Sequence, residues 1–481
     1  MNRNLVLHTL GLVLLCESLA MVPSLLVALY LKENSVLAFF LVILLTAAFG
    51  FVFVKLPVDP NQLSYKEGFV IAAFGWLTLA VFGSLPFIFS GALSHPVDAF
   101  FETVSGFTTT GASVVPDVEI LPRSILLWRN FTQWLGGMGV IVLMVALIPS
   151  LKVAGLQLFR AEVPGPTKSK VLPRIAITAR ELYRIYLIIT FAEIILLKIA
   201  GISWFDSVIH TFGTVPTGGF SNKNLSVGAY DSVLVEVIIV FFMILCGMNF
   251  ALHYRAFRGG ELRSYWKDPE LKFYLGVLAL GTLLVAANLI KTGDYEINKA
   301  FRLALFQVSS IVTTTGFATA DFGRWPAFSQ MILFILMFIG GCAGSTGGAI
   351  KHIRVLILIK SASRQLTRLL HPQAVIPVRL GSQALSEEVV EAVQAFFFIY
   401  ILIFIGAVMF LACLGLDLIS ALAAVAATLG NVGPGLGLVG PASNYASLPA
   451  AGKIALSMCM LIGRLEIYTV LVILSRRFWK P

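Results

Sequence analysis

Four short segments of this sequence carry glycine and small hydroxyl residues in a pattern suited to binding a bare alkali cation. The glycines that end the aligned segments are Gly111, Gly219, Gly316 and Gly433. A ring of backbone carbonyls can replace the hydration shell of a cation without burying a fixed opposite charge. Glycine enters cheaply the backbone angles that turn successive carbonyls to one side. The pattern therefore predicts one cation site built from four chain segments.

The four segments align without gaps over their whole length. They read AFFETVSGFTTTG (99–111), SVIHTFGTVPTGG (207–219), ALFQVSSIVTTTG (304–316) and ALAAVAATLGNVG (421–433). A second glycine follows 25 to 30 residues after each turn, at Gly137, Gly247, Gly341 and Gly463. This is an internal repeat of helix, short re-entrant helix, glycine turn and helix. Close helix packing is the alternative explanation for the glycines.

The residues predicted to line the site are the last three of each segment. They are Thr109, Thr110 and Gly111; Thr217, Gly218 and Gly219; Thr314, Thr315 and Gly316; and Asn431, Val432 and Gly433. Two segments depart from the Thr-Thr-Gly form, because Gly218 stands in the second, and Asn431 and Val432 stand in the fourth. We therefore expect the site to be less symmetric than a ring of four identical chains.

The elements that must position these turns are membrane helices. The chain has 481 residues, of which 58% are hydrophobic and only 12% charged, so a soluble enzyme is excluded. Apolar runs predict ten spans, at 5–31, 36–54, 68–90, 124–149, 182–203, 232–254, 272–290, 328–360, 392–415 and 450–475. The re-entrant segments, at about 12 residues, are too short to cross a bilayer. The predicted fold is an all-α polytopic membrane protein with an N-terminal helix pair and four pseudo-repeats around one central pore.

The repeats divide the chain into five predicted units, and the distribution of basic residues predicts its orientation across the membrane. The predicted units are the helix pair at 1–60 and the repeats at 61–160, 161–262, 263–375 and 376–481. The formal net charge of +10 comes mainly from Lys and Arg in alternate loops, which the positive-inside rule assigns to the cytoplasm. Both termini then lie inside, the re-entrant helices enter from outside, and the partner is the lipid bilayer, not a nucleic acid.

A glycine-rich run interrupts the apolar residues that follow the third turn. It comprises Gly340, Gly341, Cys342, Ala343, Gly344, Ser345, Thr346, Gly347 and Gly348. Irregular backbone at membrane depth is tolerated only where it is buried in protein or lines a cavity. A gating loop beneath the cation site is one interpretation, and close packing of small residues is the other.

Charged residues at membrane depth are the remaining candidates. Arg464 and Glu466 lie in the last apolar run, where a charge costs at least about 2.5 kcal/mol. Arg464 is predicted to be a positive barrier in the pore that either slows conduction or binds the gating loop, with an ion pair to another helix as the alternative. Basic residues after the gating loop, Lys351, Arg354, Arg364 and Arg368 among them, either anchor lipid headgroups or form a docking surface. Asp98, Glu102 and Asp206 could concentrate cations at the outer mouth, while capping is as good an account of the two aspartates.

The motifs together resemble a known family. The turns TTTGAS, PTGGFS, TTTGFAT and NVGPGLG, with WRNFTQWLGGMGVIV and LFRAEVPGPTK, are similar to the potassium-translocating membrane subunit of the Trk/Ktr/HKT superfamily. The resemblance implies potassium uptake across the cytoplasmic (inner) membrane, with K⁺ as substrate at the residues named above and no organic cofactor. It also implies a homodimer with one pore per protomer and a cytosolic, nucleotide-binding, TrkA-like regulatory subunit. In sodium-preferring relatives the first turn can carry Ser in place of glycine, so Gly111 favours potassium.

Other function classes remain to be weighed. A proton- or sodium-coupled symporter, or a channel less selective between potassium and sodium, is compatible with the same residues. Secondary transporters built of inverted halves are disfavoured because the four repeats share one orientation. An enzyme is not predicted, since no His, Asp or Ser cluster has catalytic spacing.

Overall fold

The computed structural model describes residues 1–58, 65–139, 175–293 and 295–480. Within these ranges the chain is mainly helical, as predicted. The helices are α1 (Arg3–Leu31), α2 (Val36–Val54), α3 (Tyr65–Phe89), α4 (Pro96–Phe107), α5 (Arg123–Gly137), α6 (Ile175–Ile199), α7 (Trp204–Thr214), α8 (Val233–Cys246), α9 (Phe250–Gly259), α10 (Arg263–Lys267), α11 (Pro269–Lys291), α12 (Ile297–Val312), α13 (Ala327–Leu336), α14 (His352–Leu370), α15 (Glu387–Cys413), α16 (Leu418–Leu429), α17 (Ala450–Arg464) and α18 (Tyr468–Leu474).

Short elements complete the described chain. Single 3₁₀ turns lie at Ser226–Tyr230, Phe322–Arg324 and Gly437–Val439. Strands β1 (Ile339–Gly340) and β2 (Ile350–Lys351) pair in parallel, and β3 (Arg379–Leu380) and β4 (Gln383–Ala384) form an antiparallel hairpin. The first pair brings the two ends of the glycine-rich run together.

The long helices have the length and apolarity of membrane spans. Among the described residues, five helices meet this criterion, and up to seven spans result if each bent pair counts as one. The N-terminal pair packs closely, because a Cβ on Gly11 would come within 2.8 Å of the Gly50 carbonyl oxygen. Glycine at such a crossing lets two helix backbones approach.

Two of the spans predicted as continuous helices are broken. The apolar run at 232–254 forms α8 and then α9 after a bend of 96°, and the run at 450–475 forms α17 and α18 after a bend of 115°. Hydropathy indicates which residues are apolar and not the direction of each helix, so the sequence analysis did not anticipate these bends. Part of the predicted span at 124–149, and the LFRAEVPGPTK motif at 158–168, lie outside the described residues.

Short helices precede the four turns at the places where re-entrant helices are expected. They are α4, α7, α12 and α16, with 12, 11, 16 and 12 residues. Two begin at side-chain caps: Ser203 accepts from the Asp206 amide, and Asp417 from the Ser420 amide. These caps satisfy amide groups that have no partner within the helix. Each short helix ends directly before its glycine turn.

Candidate functional site

The four turns share one backbone conformation. The residue two before each glycine has a positive φ, with values of 54° at Thr109, 57° at Thr217, 58° at Thr314 and 52° at Asn431. The glycines themselves have φ of 83°, 76°, 84° and 102° in chain order. Left-handed conformations at non-glycine residues are uncommon and mark functional or strained segments. The glycines could be anticipated from the sequence, whereas the three threonines and the asparagine in this conformation could not.

Contacts between neighbouring turns close a ring. A Cβ on Gly111 would lie 2.2 Å from the Gly218 carbonyl oxygen, and one on Gly219 would lie 1.9 Å from that of Thr315. A Cβ on Gly316 would lie 2.2 Å from the carbonyl oxygen of Val432. Finally, a Cβ on Gly433 would lie 2.6 Å from the Thr110 carbonyl oxygen. The turns therefore follow one another in chain order and the fourth meets the first.

The ring is buried and polar. Thr109, Thr110, Thr217, Thr314 and Thr315 are each at most 1% exposed. Thr110 and Thr315 each share a hydroxyl hydrogen bond, of 2.8 and 2.7 Å, with the threonine two residues earlier in the same turn. These bonds fix side chains within a turn.

In the fourth turn, Asn431 stands where the common pattern has threonine, and it binds the first turn. Asn431 Nδ2 donates to Thr110 Oγ1 at 2.9 Å and to the Met460 carbonyl at 3.0 Å. Asparagine thus supplies a link between turns that a threonine is too short to make. Val432 beside it contributes only an apolar, fully buried side chain.

Helix α5 supports the second turn from behind. Gln133 Nε2 donates to the Gly218 carbonyl at 2.6 Å, and its Oε1 accepts from the Phe220 amide at 3.0 Å. Asn130 Nδ2 donates to the carbonyls of Ile209 and Phe220. The sequence analysis missed this role, although polar residues inside the apolar run at 124–149 were a signal for it.

An ion pair extends this support between the first two repeats. Arg129 Nε lies 2.6 Å from Glu102 Oε1, and Arg129 Nη1 donates to the Ser221 carbonyl at 3.0 Å. Both members of the pair are at most 2% exposed. Glu102 also accepts from the Val114 amide, so it is committed to the structure around the turn and is not a free charge at the outer mouth.

The two aspartates predicted as mouth charges or caps also have partners. Asp98 Oδ1 lies 2.6 Å from Lys453 Nζ, which joins the first and fourth repeats. Asp206 Oδ1 accepts from the Asn222 amide group. Neither aspartate borders the cavity above the ring.

A cavity of about 180 Å³ opens on the side of the ring where the chain leaves the turns. All four glycines line it, and Tyr445 stands at its edge. The Tyr445 hydroxyl donates to the Gly433 carbonyl at 2.8 Å, and its amide donates to the Ser113 carbonyl at 2.8 Å. Tyr445 is a further residue of the site that sequence analysis did not identify.

The glycine-rich run lies against the other side of the ring. Thr346 Oγ1 accepts from Thr217 Oγ1 at 3.3 Å and the Gly348 amide donates to Thr314 Oγ1 at 2.7 Å. A Cβ on Gly348 would lie 2.8 Å from Asn431 Cβ. This run, which we call the intramembrane loop (Gly340 to Gly348), therefore contacts the second, third and fourth turns.

Arg464 joins the intramembrane loop to α5. Its guanidinium donates to the Thr346 carbonyl at 2.9 Å, and to the carbonyls of Gly136 and Gly137 at 2.6 and 2.8 Å. Arg464 ends α17, and the chain then breaks at Glu466 and Ile467, both with positive φ. Arg464 is half-buried, and a guanidinium at membrane depth is compensated by pairing with backbone carbonyls.

The basic residues after the intramembrane loop are mostly buried. Lys351 and Arg354 are 3% and 9% exposed, and Lys351 Nζ donates to the Gly347 carbonyl. Arg354 lies 2.5 Å from Glu466, and Arg364 lies 2.5 Å from Glu387. The expectation that most of these residues anchor lipid headgroups was wrong for these three, because the residues of α14 that follow the loop pack inside the protein.

One further carboxylate holds the intramembrane loop from the side. Glu270, near the start of α11, accepts from the Ala343 amide at 2.7 Å and from the Ile353 amide at 3.0 Å. The loop is also fixed to the break after α8, since the Cys342 amide donates to the Gly247 carbonyl at 2.8 Å and the Phe250 amide to that of Gly344 at 3.0 Å. No sequence signal singled out Glu270.

The second glycine of each repeat lies near the end of its helix. In the described residues α5 ends at Gly137, α8 ends one residue before Gly247, and α17 ends one residue after Gly463. In the third repeat α13 ends at Leu336, five residues before Gly341. A Cβ on Gly463 would lie 2.2 Å from the Leu429 carbonyl oxygen, and one on Gly137 would lie 2.5 Å from Pro216 Cβ. These glycines let the helix ends approach the base of the turns.

Known proteins resemble the chain over its whole length. The model of a cation transport protein family, TrkH, matches residues 31–480. The Trk system potassium uptake proteins TrkH of Halomonas elongata and of Escherichia coli (strain K12) are 41% and 42% identical to it, and each alignment covers 100% of both chains. The crystal structure of the potassium transporter TrkH from Vibrio parahaemolyticus matches with a TM-score of 0.91 at 39% identity and 100% coverage of both chains.

Proposed function

Because this chain belongs to the TrkH family of cation transport proteins, we propose that it carries potassium into the cell through the ring of four turns. The single observation that carries this proposal is the closed ring, in which each turn repeats the same pair of positive φ angles. Alternating left-handed residues can turn successive carbonyl oxygens toward one axis, which is what a dehydrated cation requires.

The proposed selectivity filter consists of the three residues that end each segment. These are Thr109, Thr110, Gly111, Thr217, Gly218, Gly219, Thr314, Thr315, Gly316, Asn431, Val432 and Gly433. The short helices end at the filter, so the partial negative charge at their C-terminal ends would favour cations and oppose anions. The hydrogen bonds from α5 and Tyr445 to filter carbonyls would hold their spacing for potassium.

The proposed gate is the intramembrane loop together with Arg464. Its contacts with three of the turns would block the path on the inner side of the filter. Arg464 would hold the loop in place and add a positive barrier to a passing cation. Opening then requires the bonds from Arg464 and Glu270 to the loop to be released together.

The assembly and its surroundings are also part of the proposal. We expect a homodimer with one pore per protomer, both termini in the cytoplasm, and location in the cytoplasmic membrane. A cytosolic, nucleotide-binding, TrkA-like subunit would control the gate. The sequence has no GxxxxGK[ST] loop, so nucleotide would act through that separate subunit.

A less selective potassium and sodium channel is the second candidate. It is favoured by the Asn431 and Val432 departure, because a filter without fourfold symmetry holds its carbonyls at unequal distances from the axis. Coupling of potassium to protons or sodium is a third outcome that the same experiment distinguishes.

The test is the diffusion potential of the purified protein in liposomes. The vesicles hold potassium inside and sodium outside, and an uncoupler collapses the proton gradient. A potential near the potassium equilibrium value is expected for a selective passive pore. A much smaller potential would favour the less selective channel, and flux that requires a proton or sodium gradient would overturn the passive pore. If no flux appears under any gradient, the assay is repeated with the regulatory subunit, and silence there would contradict the proposal.

A further inference from the structure

A second cavity, of about 830 Å³, lies among α9, α10 and the start of α11, away from the filter. Three basic residues line it: Arg255, Arg263 and Lys267. All three are exposed, and none forms an ion pair within the described part of the chain. Unpaired guanidinium and ammonium groups around one cavity are suited to the oxygens of a phosphate group.

Two acidic residues also line the cavity, and they do not cancel this charge. Asp268 caps α11, where its Oδ1 accepts from the Leu271 amide at 2.8 Å, so its carboxylate is directed to that helix end. Glu261 is exposed. The cavity therefore has three basic side chains and two carboxylates, and one of these carboxylates is bound to the end of α11.

The cavity lies where a membrane surface is expected. Helix α9 bends by 96° from the spanning helix α8, so it runs nearly parallel to the bilayer plane. Leu262, which lines the cavity, is 68% exposed, and Phe257 of α9 and Trp266 of α10 are 69% and 76% exposed. Large apolar side chains beside basic groups are typical of the boundary between headgroups and acyl chains, where Trp is enriched.

The same elements that wall the cavity also hold the intramembrane loop. On the α9 side, the Phe250 amide donates to the Gly344 carbonyl at 3.0 Å. On the α11 side, Glu270 follows Pro269 of the cavity wall and accepts from the Ala343 amide at 2.7 Å. A ligand that bridges α9 and α11 would therefore fix both attachments of the loop.

The third wall, α10, reaches the break after α8 through a buried histidine. His253 Nε2 lies 3.0 Å from the Leu245 carbonyl, which can only accept, so this nitrogen carries the proton. His253 Nδ1 then accepts from the Tyr265 hydroxyl at 2.8 Å. Leu245 is two residues before Gly247, whose carbonyl binds the Cys342 amide of the loop.

We infer that this cavity binds the phosphate headgroup of an anionic phospholipid and that its occupancy holds the intramembrane loop in the position seen here. Basic pockets between membrane helices on the cytoplasmic side are suited to such headgroups. A ligand stabilises the conformation it fits. Since the loop here contacts three turns of the ring, occupancy lowers flux. The effect on flux rests on the proposed function, whereas the binding does not.

Binding is tested without any transport measurement, by native mass spectrometry of the purified full chain with phosphatidylglycerol or phosphatidylcholine. The pocket variant is Arg255→Gln, Arg263→Gln and Lys267→Gln together. The matched control is Lys272→Gln, Arg476→Gln and Arg477→Gln, which removes the same charge from exposed residues that do not line the cavity. We expect the wild type and the control to retain phosphatidylglycerol preferentially and the pocket variant to retain roughly tenfold less.

Equal retention by the pocket variant and the control would overturn the site. Inorganic phosphate is the probe for the other source of the same chemistry. Inorganic phosphate could raise the unfolding temperature of the wild type but not of the pocket variant, while the wild type retains phosphatidylglycerol no better than phosphatidylcholine. In that case the ligand is a soluble phosphate and the lipid assignment is wrong.

Coupling to the loop is tested by rubidium flux in vesicles with and without phosphatidylglycerol. We expect phosphatidylglycerol to lower flux through the wild type and the control, and to leave the pocket variant unchanged. The same lipid response in the pocket variant and the control would overturn the coupling. A failure of transport in every vesicle would contradict the proposed function alone, because lipid retention is measured separately.

Discussion

At the scale of single residues, the glycines of the proposed filter are constrained in two ways at once. Gly316 has a φ of 84°, which an L side chain adopts at a cost, and a Cβ there would lie 2.2 Å from the Val432 carbonyl oxygen. The close atom belongs to the backbone of the next turn, so it cannot move aside as a flexible side chain could. Because of both constraints, the third and fourth turns can lie this close together only if residue 316 has no side chain.

The change Gly316→Ser should therefore reduce the preference for potassium over sodium. The added Cβ must displace the Val432 carbonyl, and a loss of about 1.4 kcal/mol in differential binding lowers the permeability ratio about tenfold. The ratio is measured from reversal potentials in liposomes.

Gly276→Ser is the matched control, since a Cβ on Gly276 meets nothing within 4 Å. An unchanged permeability ratio in Gly316→Ser would remove this glycine from the filter. A fall in both variants would show a general effect of the added hydroxyl.

At the scale of elements, the intramembrane loop and the helix breaks lie directly beneath the ring. Arg464 lies at the end of α17 and binds both the intramembrane loop and the end of α5. Glu466, two residues later, is held by Arg354 of α14, so the α17 to α18 break and the loop share their attachments. The helix breaks thus lie at the base of the proposed filter and bind the loop that is the proposed gate.

Arg464→Ala should raise potassium flux several-fold. The change removes the hydrogen bond to Thr346 and the positive charge beneath the filter, so the loop leaves the ring more often. Flux is measured as rubidium uptake per amount of folded protein. Arg184→Ala is the control, because its side chain is 63% exposed and, among the described residues, its ion pair is with Glu181 of the same helix.

A different result would assign Arg464 another role. If flux and the yield of folded protein fall together in Arg464→Ala, its hydrogen bonds serve stability and not gating. Unchanged flux with normal yield would contradict the barrier.

At the scale of the whole molecule, the ring requires the fourth repeat to meet the first. Asn431 binds Thr110, the Tyr445 amide binds the Ser113 carbonyl, and Lys453 pairs with Asp98. These contacts join residues more than 300 positions apart in the chain. Such contacts carry a large loop-closure cost and form only when the intervening helices are in place.

The ion pair between Asp98 and Lys453 should stabilise this closure measurably. The Lys453 side chain is 7% exposed and that of Asp98 25%, so Lys453 is the more buried charge. Removing its partner in Asp98→Asn should lower stability by about 1 to 3 kcal/mol, below the usual range for a fully buried pair. The double variant with Lys453→Met should recover part of this loss, because no unpaired charge remains.

The measurement is a double-mutant cycle on thermal unfolding in detergent. A coupling energy near zero would show that the pair does not contribute to closure. Arg324→Ala serves as a reference, since Arg324 is 87% exposed and pairs with Asp321 along the chain.

Features that depend on residues close together in the chain could be predicted from the sequence, whereas contacts between distant residues could not. Composition and hydropathy were enough for an all-helical membrane protein, because each span must satisfy its own backbone hydrogen bonds in lipid. The four glycines could be predicted because a left-handed backbone conformation strongly favours glycine at that position. The family resemblance, carried by the turns and by the motif around α5, agrees with the relatives found.

Only the tertiary structure decided the partners of the buried polar residues. Gln133 on Gly218, Tyr445 on Gly433 and Glu270 on the intramembrane loop join residues far apart in the chain, and no local pattern specifies such pairs. The bends of 96° and 115° were likewise hidden, since an apolar residue has the same hydropathy in a straight helix and in a broken one. The sequence by itself determined that the chain forms apolar helices long enough to span a membrane, and where the turns lie. The directions of the helices beyond those turns, and the contacts that close the ring, depend on packing between repeats.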